Sequence, residues 1–141
     1  MSEHVIEITE ATKQYAADRL QQLPLARMIG MHLTDLRLDE AVIEMEMRDD
    51  LSQPSGILHG GVTATLIDTA MAFAVRTRLA PEEPTATIDL TIHFVRPHAS
   101  GKCRCTARVL RAGRRIFTVS ADVVNEDGKL VATGVSTYTK V

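Results

Sequence analysis

Residues 53–74 read QPSGILHGGVTATLIDTAMAFA and predict both a long helix and a candidate site. The helix opens on Gly60 and Gly61 beside His59, so bare backbone N–H groups at its start can stabilise negative charge on an oxygen. Asp68 then places a carboxylate in an otherwise apolar segment, which is costly unless that carboxylate is paired or used. An oxyanion donor together with a poised carboxylate indicates hydrolysis of an activated acyl group.

The composition predicts one globular domain over residues 1–141. The chain is 45% hydrophobic and 24% charged, and its length allows a substantial core without disulfide or metal crosslinks. Its formal net charge of −2 offers no electrostatic footprint for nucleic acid. Residues 1–7 lack a basic segment followed by an apolar run, and no stretch approaches the roughly 20 apolar residues of a membrane span. We therefore expect a cytoplasmic protein with no nucleic-acid or membrane partner.

Cys103 and Cys105 are the only cysteines. On a strand they would point to the same face, where a bridge between such near neighbours is strained. Two thiols do not close a zinc site, and the histidines show no metal-ligand spacing. We expect packed thiols and no metal.

The chain before the first strand divides into two parts. Residues 9–23 have apolar positions at helical spacing and predict an amphipathic helix, capped by Thr9 or Thr12. Pro24 is expected to end this helix. Residues 25–35 are apolar without a regular period.

The rest of the chain predicts five strands and one central helix. Residues 41–48 alternate strictly and predict a strand with one wet face, followed by a loop over residues 49–56. The helix over residues 61–79 is apolar nearly all round and is therefore expected to be buried. Four further period-two segments are separated by turns and cover residues 86–95, 102–111, 115–125 and 130–140. This order predicts an α+β domain with a mostly antiparallel sheet curled around the central helix.

With this order of elements, the chain resembles the hotdog-fold acyl-CoA thioesterases. In particular, it resembles the group containing the phenylacetic-acid-degradation, 4-hydroxybenzoyl-CoA and dihydroxynaphthoyl-CoA thioesterases. It runs from about residue 30 to residue 138 and centres on LHGG, residues 58–61, followed by the helical Asp68. Gln53 stands where such enzymes carry Gln or Asn, and IDLTIHFVRP, residues 88–97, resembles the family strand that ends in an Arg-Pro corner.

The resemblance implies a hotdog fold and an enzyme. The fold would be an antiparallel sheet of five to six strands around the long helix, with residues 1–29 as an N-terminal helical extension. The reaction would be hydrolysis of an acyl- or aryl-CoA to the free acid and coenzyme A. Coenzyme A is part of the substrate, so no separate cofactor is expected.

The resemblance also implies roles for individual residues. The Gly60 N–H, aided by the side-chain amide of Gln53, would bind the thioester carbonyl oxygen, and Asp68 would act as general base on water or as direct nucleophile. Thr87 occupies the place where some relatives hold the lytic water. His59 would either orient the loop or contact the thioester sulfur.

Coenzyme A carries phosphates, so basic residues are expected near the mouth of the acyl tunnel. By resemblance, the substrate and coenzyme A contacts are Gly61, Asp89, Phe94, Val95, Arg96, Pro97, Arg111, Gly113, Arg114 and Arg115. A solvated hairpin end is the alternative explanation for the arginines. A wet sheet face would explain Asp89, which strand alternation places on one face with Thr87 and Thr91.

The spacing along the central helix predicts that two chains form each site. Gly60 and Asp68 lie roughly 12 Å apart along a helix axis at 1.5 Å per residue, too far for both to touch one thioester. Gly60, Gln53 and His59 of one subunit should therefore face Asp68 of another, in agreement with the family's edge-to-edge pairing of sheets. A homodimer with shared sites, and a tetramer built from two dimers, are expected.

Two other functions compete with hydrolysis. A hotdog dehydratase acting on a hydroxyacyl thioester would need a histidine and an acid poised across the tunnel. A non-catalytic acyl-CoA sensor usually carries an added regulatory segment, and the N-terminal 30 residues are short and weakly basic for that purpose. Asp68 favours chemistry over sensing, while the acyl group, the pathway and the type of tetramer stay open.

Overall fold

The computed structural model describes residues 6–141, so the predictions that concern residues 1–5 lie outside the described residues. We number the elements in chain order. The helices are α1 Glu10–Gln22, α2 Pro24–Ile29 and α3 Gly60–Arg76, with one 3-10 turn at Asp49–Leu51. The strands are β1 His32–Arg37, β2 Glu40–Glu46, β3 Thr85–Phe94, β4 Lys102–Ala112, β5 Ile116–Asn125 and β6 Leu130–Lys140.

The strands form one antiparallel sheet in the order β1-β2-β4-β5-β6-β3. Helix α3 packs on one face, where Leu66, Ile67, Ala70 and Met71 are fully buried. Because α3 connects β2 to β3, β3 does not lie beside β2. It lies at the edge of the sheet opposite β1, where β6 is its partner. The predicted α+β class, with a sheet around an apolar central helix, is confirmed.

The N-terminal extension is helical, as predicted, and Thr9 caps it through a reciprocal capping box with Thr12. Pro24 ends α1 but also opens α2, because its missing N–H and fixed φ suit the first helical position. A left-handed Gly30 ends α2, and the Arg48 guanidinium donates to the carbonyls of Met28 at 2.6 Å and Ile29 at 3.0 Å.

Two expectations from the sequence are corrected here. Residues 25–35 are not irregular: they contain most of α2 and most of β1, elements of six residues each that are too short to display a period. The central helix spans Gly60–Arg76 rather than 61–79. It ends at Thr77, whose hydroxyl donates to the Ala74 carbonyl and accepts from the N–H of Asp39.

Cys103 and Cys105 are buried free thiols on the inner face of β4, as predicted. Burial raises the pKa of the Cys103 thiol to about 11. Within residues 6–141, no group of three or more His, Cys, Asp or Glu side chains is arranged to hold a metal ion. None of the helices in the same range combines the length and the apolar character that a membrane span requires.

Candidate functional site

An irregularity in the edge strand β3 decides which side chains face α3. Thr87 pairs with Tyr138 and Asp89 pairs with Thr137, so Ile88 is an extra residue in β3. Such a bulge re-aims the side chains on either side of it. Thr87 consequently points toward α3, whereas Asp89 points to the outer face.

This bulge corrects the expectation that Thr87 shares a face with Asp89 and Thr91. Strand alternation holds only while the pairing is unbroken. The Asp89 carboxylate accepts a hydrogen bond from the Thr137 N–H at 2.9 Å, and its carbonyl accepts one from the Ser136 hydroxyl. Asp89 therefore stabilises the bulge. Its predicted contact with coenzyme A stays a prediction.

The carboxylate of Asp68 is held by two hydroxyl groups from the sheet. Its Oδ1 atom accepts from the Thr87 hydroxyl at 2.9 Å and from the Tyr138 hydroxyl. Tyr138 also donates to the main-chain carbonyl of Asp68 at 2.7 Å. Asp68 itself is half-buried, so this carboxylate is paired on one oxygen and partly open to solvent.

Tyr138 was not predicted as a site residue. It is 2% exposed, and burial, followed by the hydrogen bond to Asp68, raises the pKa of its phenol well above the ordinary range. The hydroxyl therefore keeps its proton and acts as a donor at neutral pH. Alternation in residues 130–140 could have placed Tyr138 on the inner face, but not opposite Asp68.

The start of α3 is capped by His59. Its Nδ1 atom accepts from the Gly61 N–H at 2.8 Å, so a neutral ring carries its proton on Nε2. A Cβ atom on Gly61 would lie 3.0 Å from that nitrogen, so the absence of a side chain at Gly61 makes room for the His59 ring over the helix start. Among residues 6–141, the Gly60 N–H has no hydrogen-bond acceptor.

An open cavity of about 470 Å³ lies beside Gly60. Several predicted site residues meet there: Gln53, Gly60, Phe94, Val95, Arg96 and Pro97. The Gln53 Oε1 atom accepts from the Ser55 N–H, which orients the side-chain amide, and its Nε2 atom has no hydrogen-bond acceptor among the described residues 6–141. Arg96 donates to the Leu130 carbonyl at 2.8 Å and thereby fixes the corner after β3.

Other predicted residues lie away from this cavity in the single chain. Asp68 does not line it, and Thr87 beside Asp68 lies near the Thr85 end of β3 rather than the Phe94 end.

The β4–β5 hairpin also lies at the Thr85 end of β3, because Lys140 pairs with Thr85 and its N–H donates to the Arg115 carbonyl. This hairpin carries the predicted residues Arg111, Gly113, Arg114 and Arg115. The hairpin needs Gly113, since a Cβ there would stand 2.7 Å from the Ile116 carbonyl oxygen.

Comparisons with known proteins point in one direction. A family model described as the thioesterase superfamily matches residues 55–132. The human acyl-coenzyme A thioesterase 13 is 34% identical over 99 residues, which cover 67% of this chain and 69% of that protein. The medium/long-chain acyl-CoA thioesterase YigI of Salmonella typhimurium is 26% identical, and the aligned residues cover 95% of this chain and 96% of that protein. The solved structure of the conserved protein PA5202 from Pseudomonas aeruginosa superposes with a TM-score of 0.83 at 31% identity, over 89% of this chain and 99% of that one.

Proposed function

The chain belongs to the thioesterase superfamily, with its hotdog fold, and we propose that it hydrolyses acyl-CoA thioesters with the Asp68 carboxylate of one subunit and the Gly60 amide of another. The observation that carries this proposal is the Gly60 N–H, the first amide of α3, which has no acceptor among residues 6–141 and belongs to a residue that lines the cavity. A thioester carbonyl oxygen placed there would meet a fixed donor at the positive end of the helix.

Three groups at the start of α3 suit a thioester. The Gly60 N–H and the free amide of Gln53 can both donate to the carbonyl oxygen, which gains charge as the tetrahedral intermediate forms. The Nε2–H of His59 can donate toward the sulfur or the carbonyl. Because Nδ1 is already an acceptor, the ring is not available as a base, and this disfavours the dehydratase alternative.

In the simplest course, Asp68 acts as a general base. Water attacks the carbonyl carbon, its proton passes to Asp68, and the carbonyl electrons move to the oxygen held by Gly60. When the intermediate collapses, the C–S bond breaks and the coenzyme A thiolate takes up a proton, which leaves a free acid and a thiol. Direct attack by Asp68 would first give an anhydride and the same thiolate, and water would then cleave the anhydride.

The edge of β3 supports a shared site. Within residues 6–141, this strand pairs on one side only, with β6, and it carries exposed apolar side chains, including Ile88 at 55% and Phe94 at 57%. A long apolar edge of this kind is a template for pairing with another chain. Antiparallel pairing of β3 with its copy would bring the Phe94 end of one strand beside the Thr85 end of the other.

That pairing would set the Gly60 cavity of one subunit opposite Asp68 of its partner. It would also bring the hairpin carrying Arg111, Arg114 and Arg115 to the same end of the joint sheet as the partner's Arg96 corner. These cations suit the phosphates of coenzyme A. Association of two such dimers into a tetramer is part of this proposal.

The test is thiol release from a panel of aryl, short-chain and long-chain acyl-CoAs. The native protein is compared with Asp68→Asn and Asp68→Ala at matched folding and oligomeric state. We expect turnover that falls at least about a hundredfold in both variants. Binding of an acyl-CoA without turnover by the native protein would contradict the proposal and favour the sensor alternative.

A further inference from the structure

We propose that Tyr138 is a positioning residue for hydrolysis: together with Thr87 it fixes Oδ1 of Asp68 and leaves Oδ2 as the oxygen that takes the proton of water or attacks the thioester. This inference rests on the proposed function, since it assigns a role to a group that acts through Asp68. It also distinguishes the two carboxylate oxygens, which the sequence treats as equivalent.

Both donors converge on one oxygen. The Thr87 hydroxyl lies 2.9 Å from Oδ1, and the Tyr138 hydroxyl donates to the same atom. Among the residues from 6 to 141, no side chain or main-chain N–H donates to Oδ2. An ionised carboxylate can accept on both oxygens, so this one-sided arrangement leaves a defined atom free for substrate or water.

The bulge at Ile88 creates this arrangement. It places Thr87 directly opposite Tyr138 on the neighbouring strand and turns both side chains toward α3. In an unbroken strand, Thr87 would share the outer face with Asp89, and Asp68 would lose one of its two donors. Bulges commonly re-aim side chains next to active sites.

Tyr138 restrains Asp68 at two points. Its hydroxyl donates to the carboxylate and also to the main-chain carbonyl of the same residue, the latter at 2.7 Å. The nearby buried hydroxyl of Ser136 donates instead to the main-chain carbonyl of Asp89. Filling the core would require the ring of Tyr138 alone, whereas the hydrogen bond that Asp68 accepts on both its carboxylate and its main-chain carbonyl requires the Tyr138 hydroxyl.

A side chain held at two points keeps its reacting atom in place. Small misplacements of a catalytic group lower the rate of the chemical step far more than they weaken substrate binding. Removing the Tyr138 hydroxyl should therefore lower kcat and leave KM nearly unchanged.

The experiment compares Tyr138→Phe with Tyr15→Phe. Tyr15 is the only other tyrosine, and its hydroxyl also donates to a carboxylate, that of Glu82 at 3.3 Å, outside the site. We expect kcat to fall about tenfold to thirtyfold in Tyr138→Phe, with KM within about twofold, and both constants to stay at native values in Tyr15→Phe. Near-native kcat in Tyr138→Phe would overturn the inference.

A second background separates positioning from a general structural effect. Residues that act as a unit are not additive, so Tyr138→Phe should leave the residual rate of Asp68→Asn unchanged within about twofold. An equal loss in both backgrounds would overturn the inference. Native activity in Asp68→Asn alone would instead overturn the proposed function, so the two failures are distinguishable.

The Thr87 hydroxyl provides an independent check if Tyr138→Phe folds poorly. Thr87→Ser keeps the donor and Thr87→Val, of nearly the same shape as threonine, removes it, so we expect kcat to be about tenfold lower in Thr87→Val than in Thr87→Ser. Equal activities in these two variants would contradict a role for hydrogen bonds to Oδ1.

Discussion

The two ends of β3 differ in how much of the candidate site a single chain completes there. At the Thr85 end, Thr87 and Tyr138 already hold Asp68 through a closed set of hydrogen bonds. At the other end, Phe94 and Val95 are 57% and 53% exposed beside an open cavity. The carboxylate must be oriented before substrate arrives, whereas the oxyanion donor must remain without an acceptor. We therefore infer that the two groups lie apart in one chain and meet across a subunit interface.

The largest effect is expected when a different end of β3 is disabled in each of two chains. Asp68→Asn removes the carboxylate, and Gly60→Pro removes the free N–H. Proline is tolerated at the first helical position, and His59 already has the extended backbone that a residue before proline requires. Each variant alone should lose at least about a hundredfold in kcat.

Co-expression of the two variants should then restore about a quarter of native activity. Half of the randomly formed dimers are mixed, and each mixed dimer has one intact site out of two. Each variant co-expressed with itself is the control. Absence of recovery in isolated mixed dimers would show that the site lies within one chain.

A charge on the outer edge of β3 should prevent two subunits from pairing and so keep the Asp68 carboxylate of one away from the Gly60 amide of the other. Lysine on an edge strand opposes pairing with another strand, so Ile88→Lys is expected to give a folded monomer with at least about tenfold lower activity. Leu110→Lys is the matched control, because Leu110 is a 61% exposed bulge residue on the interior strand β4. Sedimentation and thiol release measure both variants, and a dimeric, active Ile88→Lys protein would argue against the β3 interface.

The two ends also differ in what the sequence could predict. Residue type and helical position were enough to select Gly60 and Asp68, since a bare helix start and a lone carboxylate are visible in the chain. Tyr138 could not be selected, because its role depends on the register of β6 against β3 and α3. The face of Thr87 was wrong for a related reason: one extra residue at position 88 reverses the alternation.

The same limit applies to the fold. Long periodic segments predicted α3 and the strands β2 to β6 within a few residues. The α2 helix and β1 were missed because each has six residues, and Leu36 is the one residue of β1 that is buried. Their positions are set by tertiary contacts such as the bonds from Arg48 to the end of α2.

A smaller effect is expected at the cap of α3, beside Gly60. In Gly61→Ala, the new Cβ would stand 3.0 Å from the His59 ring and displace it. Loss of this cap costs about 1 kcal/mol of the free energy of unfolding, and the better helix propensity of alanine returns part of it, so the melting temperature should fall by less than about 4 °C.

The matched background for this change is His59→Ala. Once the ring is absent, Gly61→Ala should no longer destabilise and should favour the helix by up to about 1 kcal/mol, because alanine is the better helix former. Thermal melts of the four proteins measure this coupling. Equal losses with and without the ring would mean that the cap is not what requires glycine.

The smallest expected effect is that of thiol reagents. The pKa of Cys103 is raised to about 11 by burial, and burial also raises that of Cys105. Little thiolate is therefore present at neutral pH, and thiolate is the reactive form. We expect iodoacetamide to leave activity unchanged, with both thiols titrating after unfolding. Inactivation by iodoacetamide would contradict the location of the candidate site at the two ends of β3.

The crossover that places β3 at the edge of the sheet also determines when the site can form. Thr85 pairs with Lys140 and Phe94 with Ala132, so β3 is synthesised long before its partner strand β6. Pairings between segments so distant in sequence form slowly. Because Tyr138 lies on β6, Asp68 acquires its donors when the sheet closes, late in folding. Chains caught before that step would have a formed helix and an exposed strand edge, and such an edge makes them prone to aggregate.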